Sequence, residues 1–201
     1  MAVGVGSRTF SLPVEVLLPL ACMNIRSERL PFSTGKRYAY PLHKGDLVMI
    51  VRLMTETDHA GVAALFIEMQ EHYRVWCPPR ETILADLAML PPGTEILVAD
   101  NGKPVGFAAF SAIYPGPGLA SGLFLKELFV SQTHRGAGIG QLLMKKLAAL
   151  AIERGHRRLD WTADKENARL LSFYDELGGE RKEEKLFYRL DKDALRDLAE
   201  D

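Results

Sequence analysis

Apolar positions along the chain follow two periods, and the switch between them marks out the elements. From Thr57 onward Val62, Leu65, Phe66 and Met69 recur at helical spacing while Glu68, Gln70 and Glu71 fall elsewhere, which predicts an amphipathic helix capped by Thr57 or Asp58. A second, shorter helix follows Pro78-Pro79, with Ile83, Leu84, Leu87 and Ala88 on one stripe, and Pro91-Pro92-Gly93 ends it. The period then drops toward two. Residues 95–100 and 103–110 form a predicted hairpin, because Asn101-Gly102 between two apolar runs is the strongest short-range hairpin signal. Gly116-Pro117-Gly118 marks a loop, and residues 125–130 read as another strand. A long helix over 137–154 places Ile139, Leu142, Leu143, Leu147, Leu150 and Ala151 on one face, and Gly155 stops it. Leu159, Trp161 and Ala163 then alternate with Asp160 and Thr162 as a strand, residues 168–177 read as a helix ended by Gly178-Gly179, and residues 185–190 as a final strand. Helix, helix, hairpin, strand, helix, strand, helix, strand predicts an α/β (α+β) fold, a mixed sheet with helices packed on it.

Residues 1–46 show neither period and are punctuated by Pro13, Pro19, Pro31 and Pro41. They are expected to be an irregular or partly disordered extension, with 47–201 as one domain. Residues 14–21 faintly resemble a signal peptide, but Pro13 and Pro19 interrupt them and Arg8 is the only basic residue ahead. The 201 residues are 47% hydrophobic and 25% charged, and 25 Lys and Arg face 26 Asp and Glu. With no basic excess to neutralise phosphates, nucleic acid is not an expected partner. No run nears the ~20 apolar residues of a membrane span, so no membrane is expected either. Cys22 and Cys77 cannot build a disulfide framework, which favours a reducing, cytoplasmic compartment. His43, His59, His72, His134 and His156 show no metal-ligand spacing, and no metal is assigned.

Arg135-Gly136-Ala137-Gly138-Ile139-Gly140 lies between a predicted strand and helix, where unpaired N-terminal amides favour an anion. The dinucleotide fingerprint needs glycine where Gln141 stands, and the Walker Lys-Ser/Thr pair is absent. A tight connection whose glycines serve packing remains the plain alternative. The turn resembles the signature of the GNAT superfamily of acyl-CoA-dependent N-acyltransferases, Arg/Gln-x-x-Gly-x-Gly/Ala after a Leu-x-Val strand. Every position matches, and Glu127-Leu128-Phe129-Val130 precedes it. Further on, Asn167 stands seven residues before Tyr174, and Phe173-Tyr174-Asp175-Glu176-Leu177-Gly178 looks like the family's second signature. The resemblance covers roughly residues 50 to 190, and Leu170 departs from it where the family often has a small residue.

The resemblance implies a mostly antiparallel sheet with splayed central strands, and acetyl-CoA as co-substrate. The amides of Arg135, Gly136, Ala137, Gly138, Ile139, Gly140 and Gln141 would take the pyrophosphate. The pantetheine arm would pair like an added strand with the backbone at Leu128, Phe129 and Val130, and Asn167 would hydrogen-bond the same arm. Tyr174, beside the sulfur, would be the general acid for the departing thiolate, and Glu127 the base, directly or through water. Read without the resemblance, Tyr174 is packing with a polar tip, Glu127 a solvated strand-end carboxylate, and Arg135 a partner for a surface acid. Strand alternation sends Lys126 and Glu127 to opposite faces. A side-chain amine of pKa ~10.4 needs a base near neutral pH far more than an α-amine does.

The pattern is most like the diamine and thialysine acetyltransferase branch, where an acidic pair commonly precedes Leu-x-Val. Here that pair is Lys126-Glu127, which weakens the case for a polycation unless an acidic face of Glu68, Glu71 and Asp86 compensates. The expected function is N-acetyl transfer from acetyl-CoA to a primary amine of a small molecule or peptide, by direct attack in a ternary complex, since Cys77 lies outside the motifs. A non-catalytic acyl-CoA-binding module is the alternative. A homodimer is implied by resemblance only.

Overall fold

A computed structural model of the chain describes residues 38–41 and 48–200. The Asn101-Gly102 turn folds β3 (Thr94–Asp100) back on β4 (Pro104–Ile113), setting Leu97 opposite Ala108 and Val98 opposite Phe107. The Gly102 amide donates to the Asp100 carboxylate at 2.8 Å, which closes the turn. β1 (Tyr38–Pro41) and β2 (Val48–Leu53) extend the sheet on one side, β5 (Gly122–Val130) and β6 (Leu159–Trp161) on the other. Strand order follows chain order, and every pairing is antiparallel except β5 with β6.

Side-chain alternation along β3 splits the interior in two. Leu97 and Ala99 join Phe110, Leu123 and Leu125 under α3 (Ile139–Glu153), whose Ile139, Leu143 and Leu147 supply the other half. Ile96 and Val98 join Phe107 and Phe129 under α1 (His59–Tyr73) and α2 (Arg80–Ala88), which contribute Val62, Leu65, Met69, Ile83 and Leu87. α4 (Ala168–Glu176) packs Tyr174 and Phe173 against the α3-side core. The apolar stripes predicted for α1, α2 and α3 are therefore the sides turned to the interior, with Ala88 at the end of α2 left exposed.

The start of α1 is tied down by charge. Arg52 on β2 donates through Nη1 and Nη2 to both oxygens of Asp58, at 2.5 and 2.8 Å, and through Nη2 to Asp100 at 2.6 Å. The Thr55 amide donates to Asp58 at 2.8 Å and the Asp58 amide returns a bond to the Thr55 carbonyl. Thr55 is the N-cap of a single 3-10 turn, Glu56–Asp58, with Asp58 as its reciprocal partner, and Asp58 in turn holds the N-cap position of α1 as expected, although its carboxylate caps no amide of α1 because it is turned toward Arg52 and Thr55.

Three other expectations change. β2 was not predicted, because four successive apolar residues, Val48 to Val51, mask the alternation that buries Met49 and Val51. β1 falls inside the segment expected to be irregular; the remainder of residues 1–46 lies outside the described residues. Residues 185–190 form no strand: among the described residues β6 pairs only with β5, and Leu186, Phe187 and Tyr188 are exposed. Alternation makes a strand only where an edge pairs with it. An unpredicted helix, α5 (Lys192–Glu200), follows. Among the described residues no helix is long and apolar enough to cross a membrane.

Candidate active site

β5 and β6 pair only over Leu123–Leu125 and Leu159–Trp161, so beyond Leu125 the edge of β5 that faced β6 is open among the described residues. That opening is the splay expected from the resemblance. On the opposite edge, β4 sets Phe110 across from Leu125 and Ala109 across from Glu127, which leaves Lys126 as the extra residue of a β-bulge. The bulge changes which side each residue faces. Before it, Leu123 and Leu125 belong to the α3-side core; after it, Leu128 and Val130 pack there while Phe129 belongs to the α1 and α2 side. Counting by two from both ends puts Lys126 and Glu127 together on the α1 and α2 face. The expectation of opposite faces is overturned, since alternation allots one residue per step and the bulge inserts another.

Glu127 is half-buried there, and desolvation raises its carboxyl above the usual carboxylate value, partly offset by the charge of Lys126. Tyr174 is 9% exposed, with its ring 5.2 Å from that of Trp161 and 5.1 Å from that of Phe173. Burial pushes its phenol up to about 12, and the charges of Tyr73 and Glu127 add to the shift. Its hydroxyl has no hydrogen-bond partner among the described residues. Tyr73, at the end of α1, is raised by burial and then by Glu127, and lowered by Arg135. Glu127, Tyr73 and Tyr174 therefore share one electrostatic neighbourhood at the mouth of the splay. Tyr73 was missed in the sequence because it reads there as the last exposed position of a helix.

At the end of the splay, Gly136 and Gly138 adopt φ of 81° and 77°, left-handed values that glycine reaches without strain. None of the amides from Gly136 to Gln141 has a backbone partner among the described residues; the first in-helix bond runs from the Leu142 amide to the Gly138 carbonyl. Unpaired amides at the N-terminus of α3, together with its helix dipole, favour an anion such as a phosphate. Arg135 folds back: its Nε donates to the Val130 carbonyl at 3.0 Å and its guanidinium lies 5.3 Å from the Phe129 ring centre. Neither a surface acid nor the open turn holds it. Asn167 caps α4, its Oδ1 accepting from the Leu170 amide at 3.0 Å, which leaves its NH₂ as the group that can reach a ligand.

The α1 side closes the neighbourhood. Glu68 accepts from the Gln132 amide at 2.7 Å, and a cavity of 210 Å³ is lined by Glu68, Glu71, His72, Gln132 and Arg135. The His72 ring lies 6.4 Å from Phe129 and 5.4 Å from Tyr73. Of the acidic face anticipated on the helices, Glu68 and Glu71 thus border this region, while Asp86 on α2 is exposed and lines neither cavity. A broader groove of 580 Å³, lined by Met54, Thr55, Glu56, His59, Leu87 and Ala88, contains none of the anticipated site residues.

Residues 58–178 match the family model described as Acetyltransferase (GNAT) family. The chain is 30% identical over 121 residues to L-ornithine N5-acetyltransferase NATA1 of Arabidopsis thaliana, a stretch that covers 59% of this chain and 53% of that one. It therefore spans about half the length of this plant relative. It is 25% identical over 166 residues to thialysine N-epsilon-acetyltransferase of Bos taurus, covering 75% of this chain and 97% of the other. Among solved structures, an integron cassette protein from the mobile metagenome of V. cholerae superposes with a TM-score of 0.71 at 30% identity, over 76% of this chain and 98% of that one.

Proposed function

The chain belongs to the acetyltransferase (GNAT) family, and from that premise we propose that it moves the acetyl group of acetyl-CoA to a primary amine of a small molecule or peptide. The observation that carries the reading is the row of unpaired amides from Gly136 to Gln141 at the start of α3, continuous with the open edge of β5. Those amides suit the diphosphate, and the free edge at Leu128, Phe129 and Val130 suits the peptide-like arm. The Val130 carbonyl is already engaged by Arg135, so the arm's bonds fall on the remaining backbone groups. The Asn167 NH₂ adds a donor to the same arm.

Transfer then proceeds by direct attack in a ternary complex. A neutral amine attacks the thioester carbonyl; the new C–N bond forms, the C–S bond breaks, the amine proton passes to the Glu127 carboxylate directly or through water, and the thiolate takes the proton of Tyr174. Products are the N-acetyl amine and free CoA. Two features of the residues support these roles. A carboxyl raised by burial is a stronger base than a solvated one. A phenol held near 12 stays protonated across neutral pH, the form a general acid must take. Relatives named for N5 of ornithine and N-epsilon of thialysine support an amine acceptor.

Calorimetry with CoA followed by acetyl-CoA turnover against an amine panel tests the reading. Micromolar binding of CoA and amine-dependent release of free thiol are expected. No binding overturns the site, and binding without turnover on any amine leaves the non-catalytic acyl-CoA-binding module in its place.

A further inference from the structure

The bulge places a cation beside the base. Had β5 been regular, Lys126 and Glu127 would stand on opposite faces; instead both lie on the α1 and α2 face, Lys126 exposed and Glu127 half-buried. The other charged groups near this face are partly committed. Glu68 accepts from the Gln132 amide, and Arg135 is held by the Val130 carbonyl and the Phe129 ring. Glu71 and His72 line the adjoining cavity from α1. Lys126 makes no ion pair among the described residues, and so its ammonium is free to meet a charge brought in by an acceptor.

From this geometry we propose that Lys126 is a specificity-determining residue, selecting acceptors that carry a carboxylate as well as the amine to be acetylated. The substrate class is then an amino acid, and a diamine or polyamine is disfavoured because its second ammonium meets Lys126. The reason is electrostatic: a charge-assisted bond from an ammonium to a carboxylate is among the stronger hydrogen bonds, and a like charge in the same place costs affinity. That Lys126 also lowers the Glu127 carboxyl places the two charges within each other's field. The inference rests on the acetyl-transfer reading above and adds the acceptor class to it.

Matched pairs that differ only by a carboxylate test it on the full chain: lysine against 1,5-diaminopentane, and ornithine against 1,4-diaminobutane, with acetyl-CoA as donor. The wild type is expected to favour the carboxylate-bearing member of each pair in kcat/KM by about tenfold, mainly through KM, and less so as ionic strength rises. Lys126→Glu should invert the preference, Lys126→Gln should level it, and Lys126→Arg should keep it. CoA binding and the thermal midpoint of each variant show whether the fold is retained, as expected for an exposed side chain. A ratio unchanged in Lys126→Glu, or transfer confined to acceptors without a carboxylate, overturns the role of Lys126 while leaving acetyl transfer intact. No transfer to any amine overturns the transfer reading itself and this inference with it.

Discussion

Two charge clusters, one centred on β2 and the other on β5, are built on opposite principles. Around Arg52 nearly every partner is present: both Asp58 oxygens and an Asp100 oxygen face the guanidinium, and the Thr55 amide completes Asp58. These bonds hold the Asp58 carboxyl down at about 2 even though burial opposes the charge. At the bulge of β5 the opposite holds. Glu127 is raised by burial with only Lys126 to offset it, and Tyr174 is pushed to about 12 with no hydrogen-bond partner. A closed cluster stores its electrostatic energy in the fold; an open one keeps its groups in reserve for a ligand. Substitutions at the first should therefore move stability and spare chemistry, and substitutions at the second the reverse.

Tyr174→Phe breaks the comparison hardest if it is wrong. Loss of the phenolic proton should lower kcat by about 10²–10⁴-fold, the range for a positioned general acid. Stability should hold or rise slightly, because the hydroxyl that is removed makes no bond in the fold. Stopped-flow release of free CoA alongside a thermal melt reads both. An undiminished kcat removes Tyr174 as the acid.

Glu127→Gln comes next, with kcat/KM for a side-chain amine lowered by about a hundredfold. The pH profile sharpens it. A base works only when deprotonated, so activity of the wild type should fall as pH drops through a carboxyl value above the ordinary one, and this acid limb should vanish in Glu127→Gln. Because the raised value disfavours the charged form in the folded chain, the substitution should leave stability at neutral pH equal or higher.

How much of this was legible beforehand differs between the clusters for a physical reason. The glycine turn, Asn167 and Tyr174 are local patterns, and the structure brings the turn, Tyr174 and Glu127 to one splay. The helical faces and the Asn-Gly hairpin are likewise local, and they fold as their periodicity predicts. What could not be read needed a partner. The bulge exists only in the register of Ala109 and Phe110 against β5, so alternation misplaced Lys126 relative to Glu127. Tyr73 joins the site only because α1 ends over β5. Residues 185–190 alternate as a strand should, yet no edge in the described structure takes them.

Asp58→Asn tests the closed cluster. It removes the charge that Arg52 and the Thr55 amide converge on, and should cost about 2–3 kcal/mol, the range for hydrogen bonds to charged groups plus a helix cap. The sign with pH follows from the lowered carboxyl: its contribution is complete above the unfolded value near 3.8 and is lost as pH falls toward 2. Denaturant titrations should show the wild type and Asp58→Asn differing at pH 6 and converging at acid pH, with kcat unchanged throughout. Loss of kcat in this variant would mean that the two clusters are coupled through the sheet.

The smallest effects separate the glycines of the turn. At Gly138 a side chain would have to hold φ near 77°, a left-handed conformation that costs a non-glycine residue about 1–2 kcal/mol, and relaxing it would reorient the adjacent unpaired amides. Gly138→Ala should therefore raise KM for acetyl-CoA several-fold and lower the thermal midpoint by a few degrees, about 2–4 °C for each kcal/mol in a domain of this size. Gly140 lies within the first turn of α3 at an ordinary helical φ, and a Cβ added there would sit 3.4 Å from Cζ of Phe173 on α4, the edge of normal contact. Gly140→Ala should leave both KM and the midpoint within error, or stabilise α3 slightly through better helix propensity. Equal losses at the two positions would show that the turn needs bare space around a ligand at each glycine. Loss at Gly138 alone assigns the requirement to the direction of its amides, the feature that makes this end of the molecule open where Arg52 is closed.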